Sequence, residues 1–190
     1  MSNSPISTRF WILLLSAATC LGSSGCATTL TGNDPEARTP RQMVDDESIE
    51  QAAKRLILAS DPQFETAHVI VVCYSGAVLL SGQVASAALK AKAEDAIHGL
   101  DGVRTVHNEL EIGSRASFPT RVDDAWITTK VKSAMISDPT IRAGSINVTT
   151  VDGVVYLMGD LTHKEADDAV ALTQTIPGPR KIVKAFEYVD

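Results

Sequence analysis

The chain has 190 residues, 44% of them hydrophobic and 21% charged, with a formal net charge of -6 at pH 7. Such a composition suits a folded protein rather than a disordered one, and the length allows one large domain or two small ones. The acidic balance argues against broad electrostatic binding, so no nucleic-acid partner is expected.

The first segment reads as an export signal. Arg9 precedes the apolar run "FWILLLSAA", and the small residues "GSSGCA" follow. The run is shorter than the ~20 residues of a membrane-spanning helix. "SSGC" (23–26) resembles the lipobox of bacterial lipoproteins, in which Gly-Cys ends the signal and the cysteine is acylated. Ser23 departs from that motif, which prefers Leu. The expectation is a signal peptide over 1–25, with Cys26 the lipid-attachment residue carrying palmitate-type chains. Ordinary cleavage after Ala27, giving a soluble periplasmic protein, is the alternative. With Cys20 in the signal and Cys26 acylated, only Cys73 remains, so no internal disulfide is expected. Cys73 lies in an apolar, strand-like run and reads as buried.

Residues 26–43 form a lipidated tether in this reading, being polar, Pro-containing and without a sustained period. Beyond them the chain repeats itself. "VDDESI" (44–49) lines up with "VDDAWI" (122–127), "SDP" occurs at 60–62 and again at 137–139, and "GAVLLSGQV" (76–84) lines up with "GVVYLMGDL" (153–161). Two copies are too few for a solenoid and imply a tandem of small domains, 44–112 and 122–190, joined by a linker over 113–121.

Each copy reads helix, strand, strand, helix, strand. Ile49, Ala53, Leu56 and Ile57 share one helical face, as do Ile127, Val131, Ala134 and Met135. "HVIVVCY" turns at "SG" into "AVLLSGQV", and "INVTTV" turns at "DG" into "VVYLMGDL", both tight-hairpin signals. Ser86 and Thr162 are expected N-caps, the latter with Glu165 at capping-box spacing. "VHNELEI" and "IVKAFEYV" are the last strands. The fold class is therefore α+β: two tandem αββαβ two-layer sandwiches, each a three-stranded sheet with two helices on one face. The opposite sheet face is also apolar, at Leu79 in copy one and at Val154, Tyr156 and Met158 in copy two. Either the copies pack on each other or on the tether, or this face binds a partner.

With "G-x-V-x-L-x-G" at Gly76–Gly82 and Gly153–Gly159, residues 44–190 resemble the BON-domain proteins, a bacterial family of periplasmic and outer-membrane αββαβ modules. Copy two, through "WITTKVKSAM" and "AFEYV", is similar to the dual-domain outer-membrane lipoproteins of that family associated with division and envelope stress. The resemblance implies a lipoprotein on the periplasmic face of the outer membrane that binds anionic phospholipid and supports envelope integrity. It also implies that the first helix of copy two meets the lipid. Because the family includes soluble periplasmic stress proteins, a stress-protective or protein-interaction module with envelope-protein partners is the alternative. Ala27, rather than Asp, after an acylated Cys26 favours the outer membrane.

Trp126 lies on a flank of helix 122–136 with Thr129, Lys130 and Ser133, away from the stripe centred between Ile127 and Val131. Its counterpart in copy one is Ser48. An indole beside threonines and a lysine suits a water–lipid interface. Trp126, Thr129, Lys130, Lys132 and Ser133 are accordingly the expected phospholipid-binding residues. Filling the groove between the copies is the other reading of Trp126. Asp123 and Asp124 suit the helix N-terminus as cap and dipole partner. No catalytic constellation, metal set or cofactor motif is evident: His68, His98, His107 and His163 are scattered, and no enzyme activity is expected.

Overall fold

The computed structural model describes residues 38–190. The expected signal peptide, Cys26 and the tether up to residue 37 lie outside the described residues. Copy one comprises α1 (Pro40–Ser60), β1 (His68–Tyr74), β2 (Ala77–Val84), α2 (Ala87–Ile97) and β3 (Thr105–Ile112). Copy two comprises α3 (Phe118–Ser137), β4 (Asn147–Val151), β5 (Val154–Leu161), α4 (His163–Gln174) and β6 (Lys181–Tyr188). Short 3-10 turns follow α1 and α3, at Pro62–Glu65 and Ala143–Ser145.

In each sheet the second strand is central, antiparallel to the first and parallel to the third. The hairpins close in two residues, with Tyr74 opposite Ala77 and Val151 opposite Val154. Both turn residues take positive φ, Ser75–Gly76 at 48° and 81° and Asp152–Gly153 at 48° and 73°. That geometry matches the twist of the flanking strands and explains why glycine occupies the second position. The closing glycine of the repeated motif has a packing reason. A Cβ on Gly159 would lie 2.3 Å from the Ser145 carbonyl oxygen, so only glycine lets β5 pass that close.

The first helix of each copy begins four residues before the expected domain start. Thr39 caps α1 through a reciprocal capping box with Gln42, so residues 40–43 of the expected tether are helical. Ser117 caps α3, so residues 118–121 of the expected linker are helical as well. Ser86 and Thr162 cap α2 and α4 as the sequence predicts, the latter with Glu165 completing a capping box.

Among the described residues, three apolar clusters hold the fold together. One lies under α1 and α2 and includes Ala53, Ile57, Val78, Leu80 and Leu110; its counterpart under α3 and α4 includes Ile127, Val131, Val155, Leu157 and Leu161. Leu56, expected on the core face of α1, is 41% exposed instead; a stripe of Ile49, Ala53 and Ile57 already covers the sheet. The third cluster joins Tyr74, Ala77 and Leu79 of copy one to Val151, Val154, Tyr156, Met158 and Ala185 of copy two. The second apolar sheet faces are thus packed against each other. At the rim, Arg104 lies 3.7 Å from Asp160 and His107 lies 3.6 Å from Glu187. Burial pushes the Tyr156 hydroxyl up to about 12, helped by the charges of Glu111 and Glu109 from copy one and by Asp152. Within residues 38–190 each copy has an apolar cluster of its own, and the third cluster joins the two sheets.

Candidate functional site

Buried carboxylates fix where α1 and α3 sit. Asp46 and Asp124 are 4% and 6% exposed, and each accepts two backbone N–H groups from the hairpin turn of its own copy. Asp46 takes Ser75 and Gly76 at 2.9 and 3.0 Å; Asp124 takes Asp152 and Gly153 at 2.8 and 2.7 Å. This corrects the expectation that Asp124 is a helix cap. It lies in the second turn of α3, and the cap is Ser117. Asp123 stays exposed and caps nothing. The repeated "VDD" is thus a clamp between helix and hairpin, a tertiary contact that helix-capping rules do not anticipate.

Around Asp46 the clamp has extra parts. Arg38 donates to its carboxylate at 2.9 Å and lies 4.0 Å above the ring of Tyr74, tying the residue before the Thr39 cap to the sheet. Burial alone would raise the Asp46 carboxyl, but the bonds from Ser75, Arg38, Cys73 and Gly76 outweigh it and hold it below the usual range. Cys73 is a buried free thiol, pushed up to about 12 by burial and by the Asp46 charge. Such a thiol is unreactive.

With its core stripe of Ile127, Val131 and Met135 facing inward, α3 turns a second apolar stripe to solvent. Phe118, Val122 and Trp126 follow one another at intervals of four residues and are 71%, 52% and 63% exposed. Ile136 lies on the same face about five turns beyond Phe118 and is 74% exposed. Ala125, Thr129 and Ser133, all exposed and uncharged, fill the space between. A row of exposed apolar residues on an uncharged helix face suits an interaction surface.

The five expected contact residues divide on this surface. Trp126, Thr129 and Ser133 lie on the exposed stripe and Lys132 on its edge. Trp126 does not fill the space between the copies, which the sheet residues close. Lys130 behaves differently: its Nζ donates to the Pro177 carbonyl at 2.6 Å, fastening the loop after α4 to α3, and lies 6.0 Å from the Trp126 ring centre. The sequence reading missed Phe118, Val122 and Ile136. Phe118 fell in the expected linker, and the stripe becomes evident only once the helix is extended back to that residue.

Among the described residues, no helix is long and apolar enough to cross a membrane, and no group of His, Cys, Asp and Glu is arranged to hold a metal. A groove of about 420 Å³ lies between α4 and β6, lined in part by Val170, Ile176, Ile182 and Lys184. Lys184 is engaged there by Asp167 at 2.9 Å.

Known proteins place this architecture. Outer membrane lipoprotein DolP of Haemophilus influenzae is 33% identical over 180 residues, 94% of this chain and 92% of that protein. The 21 kDa hemolysin of Actinobacillus pleuropneumoniae is 32% identical over 156 residues, 82% and 80% of the two chains. Osmotically-inducible protein Y of Escherichia coli is 25% identical over 142 residues, 73% and 70% of the two. The BON domain profile matches residues 45–114 and 123–190, the two copies described above. With both halves matched and a relative similar over nearly its whole length, the chain belongs to the BON-domain family as a dual-domain member.

Proposed function

We propose that this protein is an outer-membrane lipoprotein, anchored through Cys26, that engages anionic phospholipid with the solvent face of α3 and thereby supports envelope integrity. The observation that carries the reading is the exposed apolar stripe Phe118–Val122–Trp126, continued by Ile136 and flanked by cations. An indole with one polar N–H is favoured at the boundary between headgroups and acyl chains. Lys132 makes no ion pair among the described residues, and each such lysine near an anionic surface adds about 1 kcal/mol. Asp123 opposes this attraction, so burial of the apolar stripe carries most of the contact. A weak contact is sufficient when an acylated tether holds the domain near the membrane. The similarity to a named outer membrane lipoprotein supports the anchor and the location.

The test uses segment 38–190, which retains Arg38 and the whole of α1. Trp126 is its only tryptophan. Its indole should emit at long wavelength in buffer and shift to the blue on adding phosphatidylglycerol vesicles, with co-flotation of the protein. An unshifted spectrum and no flotation would sink the lipid reading and favour a protein-interaction module. Mass spectrometry of the mature N-terminus tests the anchor separately: an unmodified chain beginning at Thr28 would exclude it.

A further inference from the structure

We infer that Arg121 is the residue that reads the phosphodiester of the lipid headgroup, an inference that rests on α3 being the membrane-facing surface. Three observations lead there. The Arg121 guanidinium makes no hydrogen bond or ion pair among the described residues, and its Nε is buried without an acceptor. A guanidinium carries five N–H donors, and no acceptor among the described residues meets those of Arg121. Its carbon lies 5.7 Å from the centre of the Phe118 ring, at the foot of the apolar stripe. The covered Nε and the ring restrict the side chain and leave the two terminal amino groups as open donors. They form the fork that matches two phosphate oxygens.

The other cations of α3 are less suited to this task. Lys130 is engaged by the Pro177 carbonyl. Lys132 is exposed with no ring beside it, a point charge on a flexible stem. Copy one has no equivalent: Met43 stands where copy two has Arg121, Arg38 is already engaged by Asp46 and Tyr74, Arg41 lies 3.8 Å from Asp45, and Arg55 is exposed with no ring beside it. An apolar stripe in the acyl boundary with one constrained guanidinium at its end would seat a headgroup phosphate at a defined position along α3. The stripe supplies the affinity and Arg121 the preference for an anion.

Partition of segment 38–190 into phosphatidylglycerol and phosphatidylcholine vesicles separates these roles. Each lipid has a phosphodiester, but the choline ammonium screens it, so Arg121 should matter most for phosphatidylglycerol. Arg121→Gln should weaken partition into phosphatidylglycerol about fivefold or more and leave phosphatidylcholine nearly unchanged. Arg121→Lys should recover only part of the loss, because the charge returns without the fork. Trp126→Ala should weaken both lipids together. The Arg121 Nε–H resonance gives a direct reading and should shift on adding phosphatidylglycerol vesicles. A shift with sn-glycerol 3-phosphate but none with vesicles would overturn the assignment to a lipid headgroup. Equal losses on both lipids in Arg121→Gln, or full recovery in Arg121→Lys, would overturn the specific role. If Trp126→Ala changes neither lipid while Arg121→Gln still lowers phosphatidylglycerol partition, the α3 insertion reading fails and the phosphate contact stands.

Discussion

The two copies share a backbone and an internal clamp but differ on the outward face of their first helices. Both α1 and α3 place an aspartate on the hairpin turn, at Asp46 and Asp124, and both end at a Ser-Asp-Pro sequence. In α1 the middle of the solvent face is Glu47, Ser48, Gln51 and Arg55, with Gln51 bonded to Glu47 and Lys54 paired to Glu50 at 3.5 Å. The same positions of α3 are Ala125, Trp126, Thr129 and Ser133, and Lys132 has Thr128 four residues before it instead of a glutamate. Exposed apolar residues occur at the ends of both helices, such as Val44 and Leu58 in α1. What distinguishes α3 is an uncharged middle that joins its ends into one surface. The positions that hold helix to sheet are alike in the two copies, and the outward positions differ.

The shared interface between the sheets offers the strongest way to break the pair apart. Tyr156 is 2% exposed in the cluster joining the copies, and Tyr156→Ala should cost about 3–5 kcal/mol, as for other buried aromatics. Urea unfolding would show it, and a second transition would indicate that the copies had lost their mutual support.

Next comes the clamp, where the copies should respond alike in kind and unequally in size. Asp124→Ala leaves two turn N–H groups without their acceptor and should cost about 2–3 kcal/mol. Asp46→Ala should cost more, since Arg38 and Cys73 lose their partner as well. Chemical denaturation of the two variants side by side tests the ranking; equal losses would mean that Arg38 contributes nothing.

A smaller asymmetry involves pH. In copy two Arg142 donates to Glu165 at 2.6 and 3.0 Å, and this contact, with the bonds from Thr162, brings the carboxyl from 4.5 down to about 2. Copy one has Leu89 at the corresponding place after its Ser86 cap. A depressed carboxyl stabilises the fold fully above its ordinary value and loses that contribution as pH falls through the folded one. Melting temperature should therefore drop between about pH 4.5 and 2 in a manner that Glu165→Gln reduces, with about 1 kcal/mol lost by that variant at neutral pH. An unaltered acid profile in Glu165→Gln would assign the acid loss to other carboxylates.

The smallest effect on stability is expected where the effect on binding is largest. Exchanging the outward residues, with Trp126→Ser and Ser48→Trp, should change unfolding free energy by within about 0.5 kcal/mol for each substitution. Trp126→Ser should nonetheless weaken vesicle flotation, while Ser48→Trp alone should not restore it, because Glu47 and Arg55 flank that site. Recovery of flotation by Ser48→Trp would show that an indole is sufficient and that the uncharged face of α3 is not required.

The sequence alone was enough to define the hairpins, the caps of α2 and α4 and the duplication. A two-residue turn needs positive φ at adjacent positions, and an N-cap needs an oxygen within three residues, so contiguous residues encode both. Where α1 and α3 begin was obscured because Arg-Thr-Pro and Ser-Phe-Pro resemble linker, whereas Thr39 and Ser117 act as caps ahead of a proline in the first turn. Trp126 was legible as lying off the core stripe, since helical periodicity alone places it there. The rest depended on tertiary structure. Whether Leu79 and Tyr156 faced a partner or each other's sheet depended on a surface more than 70 residues away in the chain. Likewise, Asp124 became a clamp only because the turn of β4 and β5 arrives beside it. The solvent stripe of α3 has the same origin: one apolar face is covered by the sheet, and nothing among the described residues covers the other.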